Sequence, residues 1–188
     1  LKKTAQAAIT KLQAMGLQVV ILSGDQQQTV AYIAKQVDVT SFFAEVTPEQ
    51  KLLEIKQLQS AGQQIAMVGD GVNDAPALAQ ADVGLAMSTG SDSAIATASV
   101  TVLNGDLQKV VFAVQMARKT MQVVRQNLVW AFLYNLVGIP LAAGWLYPMT
   151  GWLLNPGFAG AAMALSSVSV VLNSLRLRQL RIESEKSL

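Results

Sequence analysis

The sequence predicts an α/β fold, a doubly wound, Rossmann-like parallel sheet, followed by an α-helical transmembrane hairpin. Three observations carry that expectation. Apolar runs rich in β-branched residues alternate with helical patterns from about Lys2 to Leu103, the pattern of parallel strands joined by crossover helices. The string Gly69-Asp70-Gly71-Val72-Asn73-Asp74-Ala75-Pro76-Ala77-Leu78 follows the mainly apolar run Gln64–Val68. It sets two carboxylates in a turn at the carboxyl end of a strand, where open α/β sheets hold their ligands. Finally, Arg125 and Arg176 bracket a stretch without a single charged residue.

The elements follow in order. A helical pattern runs from about Lys2 to Met15 and is closed by Gly16. Leu17–Leu22 is a β-branched apolar run that ends at Ser23-Gly24-Asp25, and a second helix covers about Gln27 to Val37. Phe42 to Val46 is expected as a short strand. Thr47-Pro48-Glu49 then opens a helix to about Ala61, with Thr47 as cap, Pro48 in first position and Gln50 three residues after the cap. The strand before Asp70 comes next, then short helices and strands to about Leu103. From Leu107 an amphipathic stretch reaches Arg125 and is expected to run as a stalk into the first membrane span.

Composition divides the chain in two. Residues 1–113 carry seven basic and ten acidic side chains, whereas residues 114–188 carry seven and two. The small overall excess of +2 therefore does not indicate a nucleic-acid protein. It indicates an acidic soluble part joined to a basic, membrane-flanking part. Hydrophobic residues make up 52% of the chain and mean hydropathy is +0.37, high for a soluble protein of this size. With no Cys and no His, disulfides, thiolate or imidazole metal sites and His-based catalysis are excluded within it. The first residue is Leu with no signal sequence behind it, so the chain is expected to start inside a longer protein.

Three chemical groups recur at the carboxyl ends of the expected strands. Asp70 and Asp74 lie four residues apart beside glycines that allow close backbone approach. That arrangement suits Mg²⁺ when the ion also holds a phosphate, although Asp also serves as an ordinary turn or cap residue. Lys51 lies in the first turn of its helix, where the helix dipole disfavours a cation. The placement makes sense if the ammonium faces a phosphoryl group; a solvated surface lysine is the alternative. The hydroxyl of Ser23, with neighbouring N–H groups, could hold a phosphate oxygen or belong to a Ser-Gly turn.

Taken together, Ser23-Gly24-Asp25, Lys51 and Gly69-Asp70-Gly71-Val72-Asn73-Asp74 resemble the second, third and fourth motifs of the haloacid-dehalogenase superfamily. The longer string through Ala79-Gln80-Ala81-Asp82-Val83-Gly84-Leu85-Ala86-Met87 resembles the phosphorylation domain of P-type ATPases. The resemblance implies that Asp70 binds Mg²⁺, with Asn73 and Asp74 completing the site beside Gly69 and Gly71. It likewise implies that Lys51 is the phosphate-facing lysine and Ser23 the phosphate-holding hydroxyl. Gln26 stands where the family usually has Asn, Ser23 where it has Thr, and Ser88 where it often has Gly. The phosphorylated aspartate of the family's Asp-Lys-Thr-Gly-Thr motif is absent from this sequence. Because that residue ends a central strand in the family, the doubly wound sheet is expected to be incomplete.

In the second half, Leu128–Tyr147 and Gly157–Leu175 are each long enough, at about 1.5 Å per residue, to cross a hydrocarbon core of about 30 Å. Pro148-Met149-Thr150-Gly151 and Asn155-Pro156 break the run into a hairpin. Arg118, Lys119 and Arg125 precede it, and Arg176, Arg178 and Arg181 follow it. Both ends are therefore expected on the cytoplasmic side, with Trp145, Tyr147 and Trp152 at the far interface. Tyr134-Asn135 on one span and Ser166-Ser167 on the other lie at similar depth, with Met163 about one turn farther out. A thioether suits a soft ion such as Cu⁺, while Ser and Asn also glue membrane helices and Met also fills space. Tyr134-Asn135 followed by Met163-Ala164-Leu165-Ser166-Ser167 resembles the paired signatures of the copper-transporting branch of heavy-metal P-type ATPases. The resemblance implies Cu⁺ binding at Tyr134, Asn135, Met163 and Ser167. The Asp and Lys typical of the zinc and cadmium branch are missing from these spans.

The expected organisation is a C-terminal part of a phosphorylation domain (1–106), a stalk helix (107–127), spans at 128–147 and 157–175 about an extracytoplasmic loop (148–156), and a cytoplasmic basic tail (176–188). The function implied is that of part of an ATP-driven Cu⁺ (or Ag⁺) exporter working through an aspartyl phosphate. Its expected cofactors are Mg²⁺ and ATP, the latter bound mainly by domains outside this chain. Expected partners are the lipid bilayer (a bacterial plasma membrane), the rest of the ATPase and a copper chaperone, with no nucleic acid. A soluble phosphatase of the same superfamily and a truncated, non-catalytic membrane protein that assembles with a pump are the alternatives.

Overall fold

The computed structural model describes residues 3–70, 72–87, 96–102, 105–151 and 155–185. The chain forms two compact units, Leu1–Ala113 and Val114–Leu188.

The first unit alternates helix and strand: α1 (Lys3–Ala14), β1 (Val20–Leu22), α2 (Gln27–Gln36), β2 (Ser41–Phe43), α3 (Pro48–Ser60) and β3 (Ala66–Gly69). A 3₁₀ turn at Val72–Asp74 leads into α4 (Ala75–Gln80), then β4 (Val83–Met87) and β5 (Val100–Val102). Local chemistry explains several boundaries. Gly16, at φ 78°, takes the left-handed conformation that ends α1. The capping box expected at α3 is present: the Gln50 N–H donates to Thr47 Oγ1 at 3.3 Å and the Thr47 N–H to Gln50 Oε1 at 2.7 Å.

All strand pairs are parallel, in two pieces of sheet. In one, Val20 of β1 faces Ser41 of β2; in the other, Ala66 of β3 faces Val83 of β4, and Leu85 faces Val100 of β5. The fold is thus the incomplete doubly wound α/β sheet expected. β4 is covered on both faces, as parallel strands are. Its Ala86 packs with Ile55, Met67, Ala77 and Leu78 beneath α3 and α4. Leu85 and Met87, on the opposite face, pack with Val102 and Val110. Gly84 is required there, because a Cβ would lie 2.5 Å from the Leu78 carbonyl oxygen. A third cluster, Ile9, Ala34, Val37 and Val39, lies against Val19, Ile21 and Phe42.

Two strands are shorter than the apolar runs suggest. Pairing of β1 and β2 stops at Leu22 and Phe43, and the chain then turns through Glu45 at φ 56°. Backbone bonds from Val46 N to Ser23 O and from Glu45 N to Asp25 O continue the contact as a loop.

The second unit is helical. Helix α5 (Leu107–Ala142) is one element of 36 residues, so the expected stalk and first span are continuous. At its other end it is shorter than expected. It stops at Ala142 rather than Tyr147, two residues past Pro140: the Ala143 N–H closes the last turn on the Ile139 carbonyl and Gly144 turns left-handed at φ 80°. A single turn of helix, α6 (Tyr147–Thr150), follows and ends at Gly151, φ 65°. Asn155 Oδ1 accepts from the Gly157 N–H at 2.8 Å, capping α7 (Pro156–Glu185) with proline in first position. Helix α7 continues beyond Leu175 to Glu185, so the start of the expected tail is helical. Among the described residues one segment, Gly160–Arg178, is long and apolar enough to cross a membrane, and none of it is buried within the protein. Trp152 and Ser88 lie outside the described residues.

Candidate active site

The strand β3 delivers the chain to Asp70, and Gly69 determines what happens next. A Cβ on Gly69 would lie 2.7 Å from the Asp74 Cβ and 2.8 Å from its Oδ2. Glycine there lets the Asp74 carboxylate fold back over the strand end, where Oδ2 accepts from the Asp70 N–H at 3.3 Å. The other oxygen, Oδ1, accepts from Lys51 Nζ at 2.8 Å. The two side chains are only 14% and 12% exposed. Lys51 and Asp74 are 23 residues apart and are joined by the packing of α3 against α4 through Ile55, Ala77 and Leu78.

The local cost of a lysine in the first turn of α3 is therefore balanced by a carboxylate. Removing either partner of such a shielded pair leaves a poorly solvated charge. Asp70, in contrast, is exposed. The two acids thus differ: Asp74 has both oxygens engaged by protein donors, while Asp70 presents its carboxylate outward. Asn73 is exposed in the 3₁₀ turn between them. Gly71 lies outside the described residues.

Ser23, Gly24 and Asp25 stand at the carboxyl end of β1, in the other piece of sheet. The Ser23 hydroxyl donates to Asp25 Oδ2 at 3.0 Å and accepts from the Asp25 N–H at 3.2 Å. Asp25 thereby orients the hydroxyl, a role its spacing alone did not reveal. Every expected site residue of this unit that is described lies at or just beyond the carboxyl end of a strand, or faces that end from α3.

The donor set matches Mg²⁺ in kind. It is all oxygen, and among the described residues no three His, Cys, Asp or Glu converge to form a metal cage. Mg²⁺ is commonly held by one or two carboxylates together with phosphate oxygens and water.

The second unit presents a different picture. Tyr134 and Asn135 lie on α5, Met163 and Ser167 on α7, and all four are exposed, Met163 to 74%. Ser167 Oγ donates back to the Met163 carbonyl at 3.2 Å, and no hydrogen bond joins the two pairs among the described residues. The helices meet instead nearer the charged end. Asn173 Nδ2 donates to Asn127 Oδ1 at 2.8 Å, and Asn127 Nδ2 donates to Ser174 Oγ at 3.0 Å. From that crossing, Asn135 lies roughly 12 Å along one helix and Ser167 roughly 9 Å along the other at 1.5 Å per residue. The sequence signal for Asn127, Asn173 and Ser174 was their position just inside the ends of the charge-free stretch.

Comparison with known proteins places these features in context. A family model described as haloacid dehalogenase-like hydrolase matches residues 1–82. The "Probable copper-transporting ATPase PacS" of Synechococcus elongatus is 59% identical over 179 residues, covering 95% of this chain and 24% of that protein. The copper-exporting P-type ATPase of Legionella pneumophila is 48% identical over 97% of this chain and 25% of its own length. Among solved structures, a zinc-transporting PIB-type ATPase in its E2.Pi state matches with a TM-score of 0.83 and 34% identity, over 94% of this chain and 28% of that one. The chain spans about a quarter of the length of these relatives.

Proposed function

We propose, for a chain that belongs to the P-type ATPase family, that it supplies the Mg²⁺ and lysine side of an aspartyl-phosphate site and two membrane helices of a Cu⁺-exporting pump. The observation that carries the reading is the Lys51–Asp74 pair, 2.8 Å long, beside the exposed Asp70 at the end of a parallel strand. Identity of 48–59% to proteins named as copper transporters supports the choice of ion.

Each residue then has a distinct task. The exposed carboxylate of Asp70 would hold Mg²⁺, with Asn73 beside it. The ion, when bound, would neutralise phosphate charge and orient the phosphoryl oxygens. Asp74 fixes the Lys51 ammonium near the same strand end, where it offsets negative charge as the phosphoryl group moves. The Ser23 hydroxyl would turn its one O–H from Asp25 Oδ2 to a phosphate oxygen. Positioning and electrostatics of this kind account for most of the catalysis in phosphoryl transfer. The aspartate nucleophile and most of the ATP site would come from other parts of the protein.

Cu⁺ is the cargo. Tyr134, Asn135, Met163 and Ser167 would contribute ligands facing other helices of the intact pump, with Met163 as the soft donor. The bilayer and the remaining domains are the partners this requires, with the first unit and the end of α7 on the cytoplasmic side and a copper chaperone as the cytosolic source of the ion.

The test is ion-stimulated ATP hydrolysis by the full-length protein in lipid, together with acid-stable phosphoenzyme formation. Cu⁺ should stimulate both and Zn²⁺ should not. Equal stimulation by Zn²⁺ would overturn the ion assignment, and absence of phosphoenzyme would overturn the mechanism.

A further inference from the structure

Two cations of the second unit, Lys119 and Arg176, face one cleft. Between Asp106 and Glu183 the chain carries seven Lys and Arg and no Asp or Glu. Lys119, Gln122, Val123 and Gln126 of α5 line a cleft whose other wall is Arg176 and Leu177 of α7. Its apolar side includes Val123, only 6% exposed. The polar side is pre-arranged by hydrogen bonds. Asn173 Nδ2 reaches Gln126 Oε1 at 3.4 Å, and the Arg176 guanidinium donates to Asn173 Oδ1 at 3.4 Å. That bond uses one of the five N–H donors of Arg176 and leaves a planar fork suited to phosphate.

Position narrows the ligand. Gln126 is the first residue of the charge-free stretch and Arg176 the first charge after it. If residues 126–175 lie in hydrocarbon, the cleft lies at the level of the lipid phosphates. Basic pockets between transmembrane helices on the cytoplasmic side take anionic head groups.

We propose that this cleft binds the phosphate of an anionic phospholipid. Lys119 and Arg176 form its cationic walls, and the amides of Gln122 and Gln126 are its neutral donors. The acyl chains continue along the charge-free helices. A soluble phosphate offers the same headgroup chemistry, but the apolar lining and the boundary position favour the lipid. This inference rests on the membrane reading given above and is independent of which ion is transported.

The experiment uses the full-length protein in nanodiscs of phosphatidylcholine with and without phosphatidylglycerol, and native mass spectrometry to count retained phosphatidylglycerol. The wild type should retain it. The double variant Lys119→Gln/Arg176→Gln should retain it about 30-fold less well, the loss expected for two cations at an anionic surface. Arg178→Gln, outside the cleft, should retain it like the wild type. A Gln122→Leu/Gln126→Leu variant, with both cations intact, should show a smaller loss and guards against misfolding of the double cation variant. Equal retention by wild type and the cation variant overturns the cleft, as does an equal loss in Arg178→Gln. Displacement of the lipid by glycerol phosphate overturns the choice of a lipid over a soluble phosphate. A wild-type protein that leaves the bilayer altogether refutes the membrane reading itself, whereas one that stays and retains no phosphatidylglycerol refutes only the cleft.

Discussion

The two units handle their polar residues in opposite ways. In the first, Lys51 and Asp74 are shielded, paired and fixed by the packing of α3 and α4. In the second, Tyr134, Asn135, Met163 and Ser167 lie exposed on helices that also expose Leu128, Phe132, Ile139 and Leu172. A shielded ion pair is stable only when its geometry is complete within the unit. An exposed set of soft and neutral donors on apolar helices implies completion by neighbouring segments. On the function proposed, this chain would build its phosphoryl-transfer half-site within one unit and would only contribute to the ion site.

The sharpest test of that contrast is Asp70→Asn. Asp70 is exposed and holds no buried partner, so the variant should fold and insert as the wild type does. Phosphoenzyme formation in the full-length protein should fall by about 10²–10³-fold, the scale for losing a principal electrostatic contact in a transition state. Normal phosphoenzyme levels would remove Asp70 from the metal site.

Lys51→Met separates the acids by stability rather than by activity. It leaves the shielded Asp74 carboxylate without the Lys51 ammonium, which should cost about 3 kcal/mol. Lys51→Met/Asp74→Leu should recover much of that loss, since a well-packed apolar pair can replace a buried ion pair. The measurement is urea denaturation followed by hydrogen exchange at β3 and β4. If the single variant were as stable as the wild type, the pair would be an ordinary surface contact.

How much of this could be read from residue order follows the range of the interactions. The capping box at Thr47 and Gln50 and the left-handed Gly16 are local, and both were legible. So was the placement of Asp70 at a strand end, because a buried strand followed by Gly-Asp-Gly leaves few other geometries. The different settings of Asp70, exposed, and Asp74, shielded and paired, were not legible. They depend on Lys51 arriving from a helix 23 residues away and on Gly69 leaving room for a carboxylate. The end of α5 at Ala142 is not marked by composition, which stays apolar past it; the left-handed backbone at Gly144 ends the helix. Nor did the sequence single out Asn127 and Asn173, whose meeting requires the crossing of two helices.

In the second unit the corresponding test is Met163→Ala. Met163 is exposed, so its loss should leave folding unchanged. Cu⁺ stimulation should weaken at least about tenfold, the cost that even an outer-shell change imposes on a metal site. If stimulation by Cu⁺ were unaffected while Tyr134 or Asn135 variants abolished it, the thioether would be a space-filler and α7 a scaffold.

The smallest effect returns to the first unit and asks whether its exposed acids also act through the backbone. Asp82 Oδ2 accepts from the Ile65 N–H at 2.8 Å and from Gln59 Nε2 at 3.2 Å, tying the start of β4 to the approach to β3. The Ile65 N–H first, and the Gln59 amide second, hold the Asp82 carboxyl below its ordinary value of 3.8. A depressed folded-state pKa stabilises the fold above the unfolded-state pKa, and that contribution is lost as pH falls through the folded value. The stability difference between wild type and Asp82→Asn should therefore be constant from neutral pH down to about pH 5. It should then shrink below pH 3.8 as the wild-type carboxylate protonates. Full exposure of Asp82 keeps the effect small, so it should appear as a modest shift in melting temperature. Because the same carboxylate holds the two strands that carry Asp70 and buried Ala86 in register, a difference that persisted unchanged into strong acid would mean that amide geometry, not charge, sets that register.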